Sequence, residues 1–267
     1  MQIANMRKAT PTLSVCLLCC NQGRFVAEAI ESVLAQTCTP LEIVISDDAS
    51  ADDGPAIIRR YAARHVELIR PRFQSSRLGF AESSNRAMAE CRGSLIAFLA
   101  ADDLMLAGKL THQVAQFAAD PGMVLSYHGV EVFDDATGHA LGLMDTSAAS
   151  RMQSAEDILR NGGIRNGCSV VVRRSAVHQP FHPKLNGLAD LLFQVEVAIS
   201  GRVGWLPQVL GRYRRHATNM TNRHAEFAAE SVALLEILRT RYAGHAGLAQ
   251  AAHCATPGFV RRTEHAF

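Results

Sequence analysis

Short apolar runs alternate with helical patterns of apolar positions along the first hundred residues of the chain. The apolar runs predict strands over residues 13–19, 41–46, 66–69 and 94–99. Helical spacing predicts helices over residues 25–36, from Pro55 onward, and over residues 80–91. Repeated units of a strand followed by a helix favour an α/β fold with a mainly parallel central sheet flanked by helices.

The pattern is less regular after residue 106, and it does not repeat the first half. Helices are predicted over residues 110–118 and 189–200. Strands are predicted over residues 124–127, 130–133, 169–173, 203–206 and 210–214, with a turn at 135–138 and a polar stretch to about Gly167. We expect a single domain over residues 1–267, divided into a first half (12–105), a second half (106–220) and a C-terminal helical tail (221–267).

An amphipathic helix is predicted over residues 224–242, where apolar residues recur among polar ones. Packing of this helix on its own domain is the favoured interpretation. Peripheral attachment to a membrane is the alternative, because an amphipathic helix can also lie in a lipid interface. No apolar run of 18 residues occurs, and the first ten residues do not resemble a secretory signal.

The composition indicates a folded protein that binds no nucleic acid. Hydrophobic residues make up 48% of the 267 residues, which is enough for a substantial core. The 27 basic and 25 acidic residues are interspersed and form no basic stripe of the kind that nucleic-acid binding requires. The seven cysteines form an odd set, and three of them lie in one apolar run, which favours buried thiols in a reducing cytoplasm.

Polar and acidic residues follow three of the predicted strands. Asn21 comes after the first strand, Asp47 and Asp48 end the second, and Asp102 and Asp103 follow the fourth. Ligands of open parallel sheets bind beyond the carboxyl ends of the strands. We therefore expect these side chains to lie in one cleft.

Each acidic pair has two interpretations. Asp102 and Asp103 suit a hard cation such as Mg²⁺ or Mn²⁺, which takes carboxylates together with phosphate oxygens, or they cap the following helix. Asp47 and Asp48 suit hydrogen bonds to a nucleotide, or they form an Asx-type turn. Two acidic pairs at strand ends of one sheet are less expected by chance than either pair alone, so we favour a nucleotide site with a cation.

Two other kinds of site are disfavoured. No G-x-G-x-x-G follows the first strand and no G-x-x-x-x-G-K-[ST] occurs, which disfavours dinucleotide cofactors and P-loop chemistry. Cys16 and Cys19 have the spacing of a zinc or redox pair. They lie within an apolar strand, however, so buried structural thiols are the favoured interpretation.

Further charged groups occur in the second half. Asp190 stands at the head of a predicted helix, where a carboxylate can deprotonate an acceptor hydroxyl or cap the helix. Arg212, Arg214, Arg215 and His216 form a basic cluster that can bind phosphate, complete a metal shell through the histidine, or form a solvated surface. Spacing alone favours the structural interpretation for both features.

Several motifs of the chain, taken in order, resemble glycosyltransferase family 2, an inverting family of GT-A fold. These motifs lie at residues 14–22, 31–37, 41–50 and 99–104. A further stretch, residues 213–219, is similar to the Tyr-Arg-x-His-x-x-Asn stretch of that family. The resemblance covers about residues 12–220. It implies a Rossmann-like GT-A fold in which the first half binds a nucleotide-sugar donor and the second half binds the acceptor.

The resemblance also implies roles for residues at matching positions. Asp102 would be the last acid of the metal-binding D-x-D motif, with Asp103 beside it and His216 as a further ligand of Mg²⁺ or Mn²⁺. Asp190 falls where the family places its catalytic base. The donor-binding residues that it implies are Cys19, Asn21, Asp47, Asp48, Arg77, Asp102 and Arg214.

The chain departs from the family pattern at three places. Leu18-Cys19-Cys20 stands where family members commonly have Pro-Thr-Tyr, so an aromatic residue that would stack on the nucleobase is absent. Ala100 replaces the first acid of D-x-D. Ala189 stands where a glutamate often precedes the base. The two alanines motivate a rival hypothesis, a non-catalytic subunit that binds sugar nucleotides.

The function expected from the sequence is transfer of a sugar, with inversion, from a UDP, dTDP or GDP sugar to an acceptor hydroxyl. The acceptor would be a glycan or a lipid-linked molecule, and the setting would be bacterial surface polysaccharide or glycan biosynthesis. The expected location is the cytoplasm, with the inner face of the membrane as an alternative. A metal-dependent nucleotidyltransferase is a further rival, although Asn21-Gln22-Gly23-Arg24 is a poor match to its glycine-rich phosphate loop.

Overall fold

The computed structural model of the protein describes residues 10–222 and 224–252. Residues 1–9 and Cys254, which entered the predictions on secretion and thiols, lie outside the described residues. A sheet of nine strands runs through the described part of the chain. Its strands are β1 (Leu13–Cys19), β2 (Glu42–Asp47), β3 (Ile69–Phe73), β4 (Leu95–Ala100), β5 (Leu104–Met105), β6 (Met123–Asp134), β7 (Ala140–Met144), β8 (Val171–Arg173) and β9 (Arg202–Arg215).

Helices flank the sheet on both faces. Those in the described residues are α1 (Gly23–Leu34), α2 (Gly54–Arg64), α3 (Phe80–Glu90), α4 (Lys109–Ala119), α5 (Ala155–Arg160), α6 (Ala189–Ala198) and α7 (His224–Arg241). The strand order is β3-β2-β1-β4-β8-β6-β9-β5, with β7 paired to β6. The pairs among β1, β2, β3 and β4 are parallel. The α/β fold is confirmed, and the sheet becomes mixed beyond β4, because β8 runs antiparallel to both β4 and β6.

The central strands are buried and mostly apolar because both of their faces are covered. Val15 and Leu17 of β1 pack in one core with the apolar face of α1. Cys16 and Phe98 point the other way, into a second core that includes α3 and α6. The sheet therefore lies between two helical layers, and its strand ends remain open at the edge where β1, β2 and β4 finish.

The third strand begins later than predicted. The prediction of a strand over residues 66–69 was wrong, since β3 spans Ile69–Phe73. This strand lies at the edge of the sheet, where polar side chains reach solvent and the apolar pattern is weak. Arg70 and Arg72 both form ion pairs with Glu90 from the end of α3.

Two pairs of predicted strands are each one continuous strand. The predicted break in β6 falls at His128 and Gly129, which are buried inside the sheet and remain paired with β9. The predicted break in β9 covers residues 207–209, and it is accommodated by shifts of register at the same place. A polar interruption of a strand can be absorbed as a β-bulge rather than ending the strand.

The stretch predicted to be polar contains strand β7 and the α-helix α5, with a short 3-10 helix between them. β7 returns along β6 after the predicted turn, and of its five residues only Met144 is buried. α5 is six residues long, begins with Ser154 capping the Asp157 N–H, and buries Ile158 and Leu159. Elements this short or this exposed give too little periodicity to be recognised in the sequence.

The predicted C-terminal amphipathic helix is α7. Leu234 and Leu238 are buried, and they pack in the same core as Leu192 and Val195 of α6. None of the helices in the described residues is long and apolar enough to span a membrane. Cys16 and Cys19 are buried thiols, as predicted.

Candidate active site

A cleft with a volume of about 320 Å³ opens beyond the carboxyl ends of β1, β2 and β4. Asp190 reaches it from the first turn of α6. The predicted site residues that line this cleft are Cys19, Asp48, Arg77, Asp102, Asp103 and Asp190. Predicted acids from both halves of the chain therefore meet in one space.

Asp102 lies two residues after the end of β4, and its carboxylate contacts His216, the residue that follows β9. The Asp102 Oδ2 atom is 3.0 Å from the His216 Nε2 atom. The Asn219 amide nitrogen lies 3.1 Å from the same Nε2 atom and 3.5 Å from Asp102 Oδ2. The Thr218 hydroxyl is 2.9 Å from His216 Nδ1. Because a hydroxyl can donate or accept, Thr218 supports either neutral tautomer of the imidazole, including the one that leaves Nε2 free to bind a cation.

The spacing of Asp102 and His216 fits a pair of neighbouring ligands of an octahedral cation. Ligands about 2.1 Å from such an ion and at right angles to each other are about 3.0 Å apart. This matches the separation of Oδ2 and Nε2. Within residues 10–222 and 224–252, the surroundings of Asp102 included, no group of three or more His, Cys, Asp or Glu side chains is arranged to hold a metal ion. The donor set therefore suits a cation that takes its other ligands from phosphate and water, and the imidazole favours Mn²⁺ over Mg²⁺.

Asp103 is directed away from that pair. Its Oδ1 atom accepts a hydrogen bond of 3.1 Å from the Arg214 backbone N–H. Burial and the neighbouring Asp102 charge raise the pKa of Asp103 well above its usual value, against hydrogen bonds from Arg214 and Asn166. Asp103 thus ties β9 to the end of β4, and its role as a metal ligand stays a prediction.

Arg214 is buried beneath the Asp102 turn. Its Nε donates to the Asp102 carbonyl at 2.9 Å, Nη1 donates to Asp135 at 3.0 Å, and Nη2 donates to Glu28 at 2.5 Å. Two phenylalanine rings lie within 5 Å of the guanidinium carbon. All three guanidinium nitrogens have protein acceptors, so Arg214 fixes the backbone of the Asp102 turn. Direct contact between Arg214 and a donor stays a prediction.

The acids that end β2 hold the loops around the cleft. Asp48 accepts hydrogen bonds from the backbone N–H groups of Leu78 and Gly79, at 2.8 and 3.0 Å. Asp47 accepts from the N–H and hydroxyl of Ser50, at 3.0 and 2.6 Å. The Asx-type turn considered for this pair is therefore present at Asp47. Asp48, in contrast, lines the cleft while it anchors the segment before α3.

The remaining predicted donor residues lie around the end of β1. Asn21 has a positive φ of 53°, and its side-chain oxygen accepts from the Ala51 N–H at 2.9 Å, which joins the loops after β1 and β2. Cys19 is buried, and desolvation raises the pKa of its thiol. Arg77 is exposed on the cleft wall beside Cys20. Ala100 also lines the cleft, where it offers only a methyl group.

Asp190 has a raised pKa that suits a general base in this cleft. Burial is the main reason that its pKa rises from 3.8 to about 6, and the nearby Glu230 charge adds to the shift. Its Oδ1 atom accepts from the Leu191 N–H at 2.7 Å, which opposes the shift. A carboxylate with this pKa is ionised at neutral pH and binds a proton more readily than an ordinary aspartate.

Sequence reasoning missed two residues that organise the site, Asn219 and Glu230, and one buried charged residue away from it, Lys109. Asn219 belongs to the stretch compared with the family, yet its contacts with Asp102 and His216 could be found only in three dimensions. Glu230 on α7 had no local pattern to distinguish it from other helix-surface glutamates. Lys109 is completely buried, donates to Gln113 at 2.7 Å, and has a pKa lowered to about 8 by desolvation. In the sequence it is one polar residue before a predicted helix.

Comparison with known proteins identifies a family and similar folds. A family model described as "Glycosyl transferase family 2" matches residues 14–179. An uncharacterized protein of Mycobacterium tuberculosis (strain ATCC 25618 / H37Rv) is 30% identical over 212 residues, which cover 77% of this chain and 59% of that protein. This chain therefore spans less than two thirds of the length of that relative.

Two solved structures show the same fold. The mannosyltransferase PcManGT from Pyrobaculum calidifontis, in complex with GDP-Man and Mn²⁺, has a TM-score of 0.66 and 19% identity, covering 97% of this chain and 74% of its own. S. aureus TarS in complex with UDP-GlcNAc has a TM-score of 0.63 and 16% identity, covering 85% of this chain and 66% of its own. At these identities the likeness concerns the fold alone.

Proposed function

We propose that this chain, which belongs to glycosyltransferase family 2, transfers a sugar from a nucleoside-diphosphate sugar to an acceptor hydroxyl with inversion at the anomeric carbon. Family membership supports glycosyl transfer in general. The proposal of inverting transfer from a nucleoside-diphosphate sugar rests on one observation: Asp102, after β4, and Asp190, on α6, line the same cleft. A cation-binding acid and a proton acceptor on separate elements can act on the two partners of one substitution.

The donor would lie along the ends of β1, β2 and β4. We place its nucleoside near Asp48 and Arg77 and its diphosphate near Asp102 and His216. The complexes of TarS with UDP-GlcNAc and of PcManGT with GDP-Man support a UDP or GDP sugar as the donor. A dTDP sugar is the third donor class that we propose.

Asp102 and His216 would hold Mn²⁺ or Mg²⁺. The ion, when bound, supplies positive charge that stabilises the leaving diphosphate. Arg214 keeps the Asp102 backbone in place through its bond to the carbonyl oxygen. Asn219 and Thr218 orient the His216 ring from two sides. Contacts of this kind, around the ligands themselves, commonly determine how well a metal site binds.

Asp190 would act as the general base. The acceptor oxygen attacks the anomeric carbon, the bond from that carbon to the diphosphate oxygen breaks, and the hydroxyl proton passes to the Asp190 carboxylate. Because a carboxylate must be ionised to accept this proton, turnover should fall as the pH drops through about 6, the pKa of Asp190.

The acceptor and the cellular setting follow from the family. We propose a glycan or lipid-linked acceptor in bacterial surface polysaccharide or glycan biosynthesis, reached from the cytoplasm or the inner face of the membrane. This part of the proposal rests on analogy with other family members, because one fold supports many acceptors.

A thermal-shift panel of UDP, dTDP and GDP sugars, with Mn²⁺ or with a chelator, tests the donor. A ligand at 100 times its Kd stabilises the native state by about 2.7 kcal/mol. For a chain of this size we expect one donor to raise Tm by roughly 5–10 °C. The shift should require Mn²⁺, and the same donor should be consumed when an acceptor is present.

Two results of that panel would contradict the proposal. One is the absence of any shift with every nucleotide sugar. The other is binding without transfer or donor hydrolysis, unchanged in Asp190→Asn, which would favour the non-catalytic subunit. Retention of the donor's anomeric configuration in the product, read by NMR, would remove the inverting mechanism while leaving glycosyl transfer intact.

Replacing His216 with alanine should weaken Mn²⁺ binding by about 10- to 100-fold, since one of two protein ligands is lost. Titration of Mn²⁺ in the presence of UDP, followed by electron paramagnetic resonance, measures this affinity without turnover. His178→Ala is the matched control, because His178 is exposed and does not line the cleft. Equal Mn²⁺ affinity in the His216 variant and the wild type would exclude His216 from the metal site.

A further inference from the structure

Helix α7 is fixed along α6 at both ends. Glu230, in the first half of α7, bonds to the segment that leads into α6. Arg241 and Tyr242, at the other end, both donate to Glu196 in the last turns of α6. Buried leucines of α7 fill the space between these contacts. Both helices lie outside residues 14–179, the part of the chain that the family model matches.

The Glu230 carboxylate holds two backbone groups next to the candidate base. Its Oε1 atom accepts from the Asn186 N–H at 3.0 Å, and Oε2 accepts from the Leu188 N–H at 2.9 Å. Leu188 is the residue immediately before α6 begins. One carboxylate thus satisfies two N–H groups within three residues, and the second of them is two positions before Asp190.

Gly187, between those two residues, packs closely against α7. A Cβ atom added at Gly187 would lie 2.6 Å from the Phe227 ring of α7. The segment at residues 186–188 is therefore held from α7 by the two oxygens of one carboxylate, one on each side, and by an aromatic ring in the middle. The cleft is lined by Asn186, Gly187, Phe227 and Asp190. The contacts between α7 and residues 186–188 therefore belong to the same cleft wall as the candidate base.

We propose that Glu230 is a positioning residue for glycosyl transfer, because its carboxylate fixes residues 186–188 from α7 and so sets the place of the Asp190 carboxylate in the cleft. This inference rests on the proposed role of Asp190 as the base. Helix α7 thus has a part in catalysis, although Glu230 itself contacts neither the donor nor the acceptor.

The charge of Glu230 gives the inference a measurable consequence. Burial is the largest cause of the raised pKa of Asp190, and the negative charge of Glu230 raises it further. The other charged groups that line the same cleft are Asp48, Arg77, Asp102, Asp103 and Arg165. A substitution at Glu230 that removes the charge should therefore shift the titration of Asp190, whereas one that keeps the charge should not.

Two variants separate geometry from charge. Glu230→Gln removes the charge and leaves one oxygen for two N–H groups. We expect kcat to fall about 5- to 10-fold as one N–H loses its acceptor, and the acid limb of the pH profile to move down by about 0.3–0.5 unit. Glu230→Asp keeps the charge but is shorter, so kcat should fall while the acid limb stays in place. The Kd of the donor should stay within about 2-fold in both.

Glu236→Gln is the matched control, because it makes the same chemical change on an exposed position of α7. It should leave kcat, the pH profile and the donor Kd unchanged. In the background of Asp190→Asn, Glu230→Gln should lower the residual rate no further, since the two residues act through one group. A general loss of stability would instead reduce the rate in both backgrounds.

The inference is overturned if Glu230→Gln matches the wild type in kcat and acid limb, or if its loss is equally large in the Asp190→Asn background. Titration of the Asp190 carboxyl by ¹³C NMR decides the point without turnover, since an unchanged Asp190 pKa in Glu230→Gln also overturns it. Full turnover by Asp190→Asn alone would instead remove the proposed base, so the two failures are distinguishable.

Discussion

Replacing Asp190 with asparagine is expected to lower kcat by about 10²- to 10⁴-fold, the range that a positioned general base contributes. Asparagine has nearly the same shape, and its side-chain oxygen can still accept the hydrogen bond from the Leu191 N–H. It cannot take up the acceptor's proton. The donor-binding residues lie on other elements, so the donor Kd should stay unchanged and the loss should fall on kcat.

The same replacement should stabilise the protein at pH 8. The pKa of Asp190 is raised from 3.8 to about 6 in the folded state, chiefly by burial. Its contribution to stability is therefore fully present below about pH 4 and is lost as the pH rises through about 6. The asparagine variant does not titrate. Its free energy of unfolding should exceed that of the wild type by about 1–2 kcal/mol at pH 8 and by about zero near pH 4.

Urea unfolding at pH 4 and pH 8, together with the pH profile of kcat, measures both effects. Asp53→Asn is the matched control, because Asp53 is exposed at the start of α2 and makes no capping hydrogen bond through its side chain. It should change neither quantity. Near-normal turnover in Asp190→Asn would rule out the base, and equal stability at pH 8 would show that ionised Asp190 is well solvated.

Replacing Glu42 with alanine should destabilise the fold by about 3 kcal/mol, the lower end of the range for removing one partner of a buried ion pair. Glu42 begins β2, at the end of the sheet opposite the cleft, and it is completely buried. Its carboxylate accepts from the Ser14 hydroxyl, the Arg70 guanidinium, and both the backbone and side chain of Arg92, at 2.6–2.8 Å. Both arginines reach solvent, so they can be rehydrated when the carboxylate is lost.

The ionisation of Glu42 gives this contribution a defined pH window. Burial alone would raise its pKa, but hydrogen bonds from Arg92, Arg70 and Ser14 prevail and lower it from 4.5 to about 2. The contribution is therefore present above about pH 4.5 and is lost as the pH falls towards 2. The difference in unfolding free energy between wild type and Glu42→Gln should be about 0.8 kcal/mol smaller at pH 4 than at pH 7.

Denaturant unfolding of Glu42→Ala and Glu42→Gln at both pH values tests these figures. Glu67→Ala serves as the control, since Glu67 is exposed between α2 and β3. We expect it to change the unfolding free energy by less than about 0.5 kcal/mol. A pH-independent difference between wild type and Glu42→Gln would mean that Glu42 is protonated alike in the folded and unfolded states. The donor Kd should be unaffected in the Glu42 variants, because the network lies far from the cleft.

The central parallel strands β1, β2 and β4 could be predicted because the pattern that identifies each of them lies in its own residues. β1 has the bounds that its apolar run predicted, and β2 and β4 differ from the prediction by one residue at each end. Buried strands and amphipathic helices carry their burial pattern in their own residues. The edge strands and the long strands β6 and β9 show a weaker burial pattern in their own residues, since pairing with neighbouring strands stabilises them despite polar positions.

The sequence by itself determined the α/β architecture and the acids at the strand ends, because parallel strands bring their carboxyl ends to one edge whatever the later chain does. Only the tertiary structure decided which of those acids face one another. Asp102 and His216 meet across 114 residues of sequence, while the adjacent Asp103 is turned towards the Arg214 backbone. Glu230 reaches the segment before Asp190 from 42 residues away. Such contacts depend on how distant elements pack, and no local pattern of residues specifies that packing.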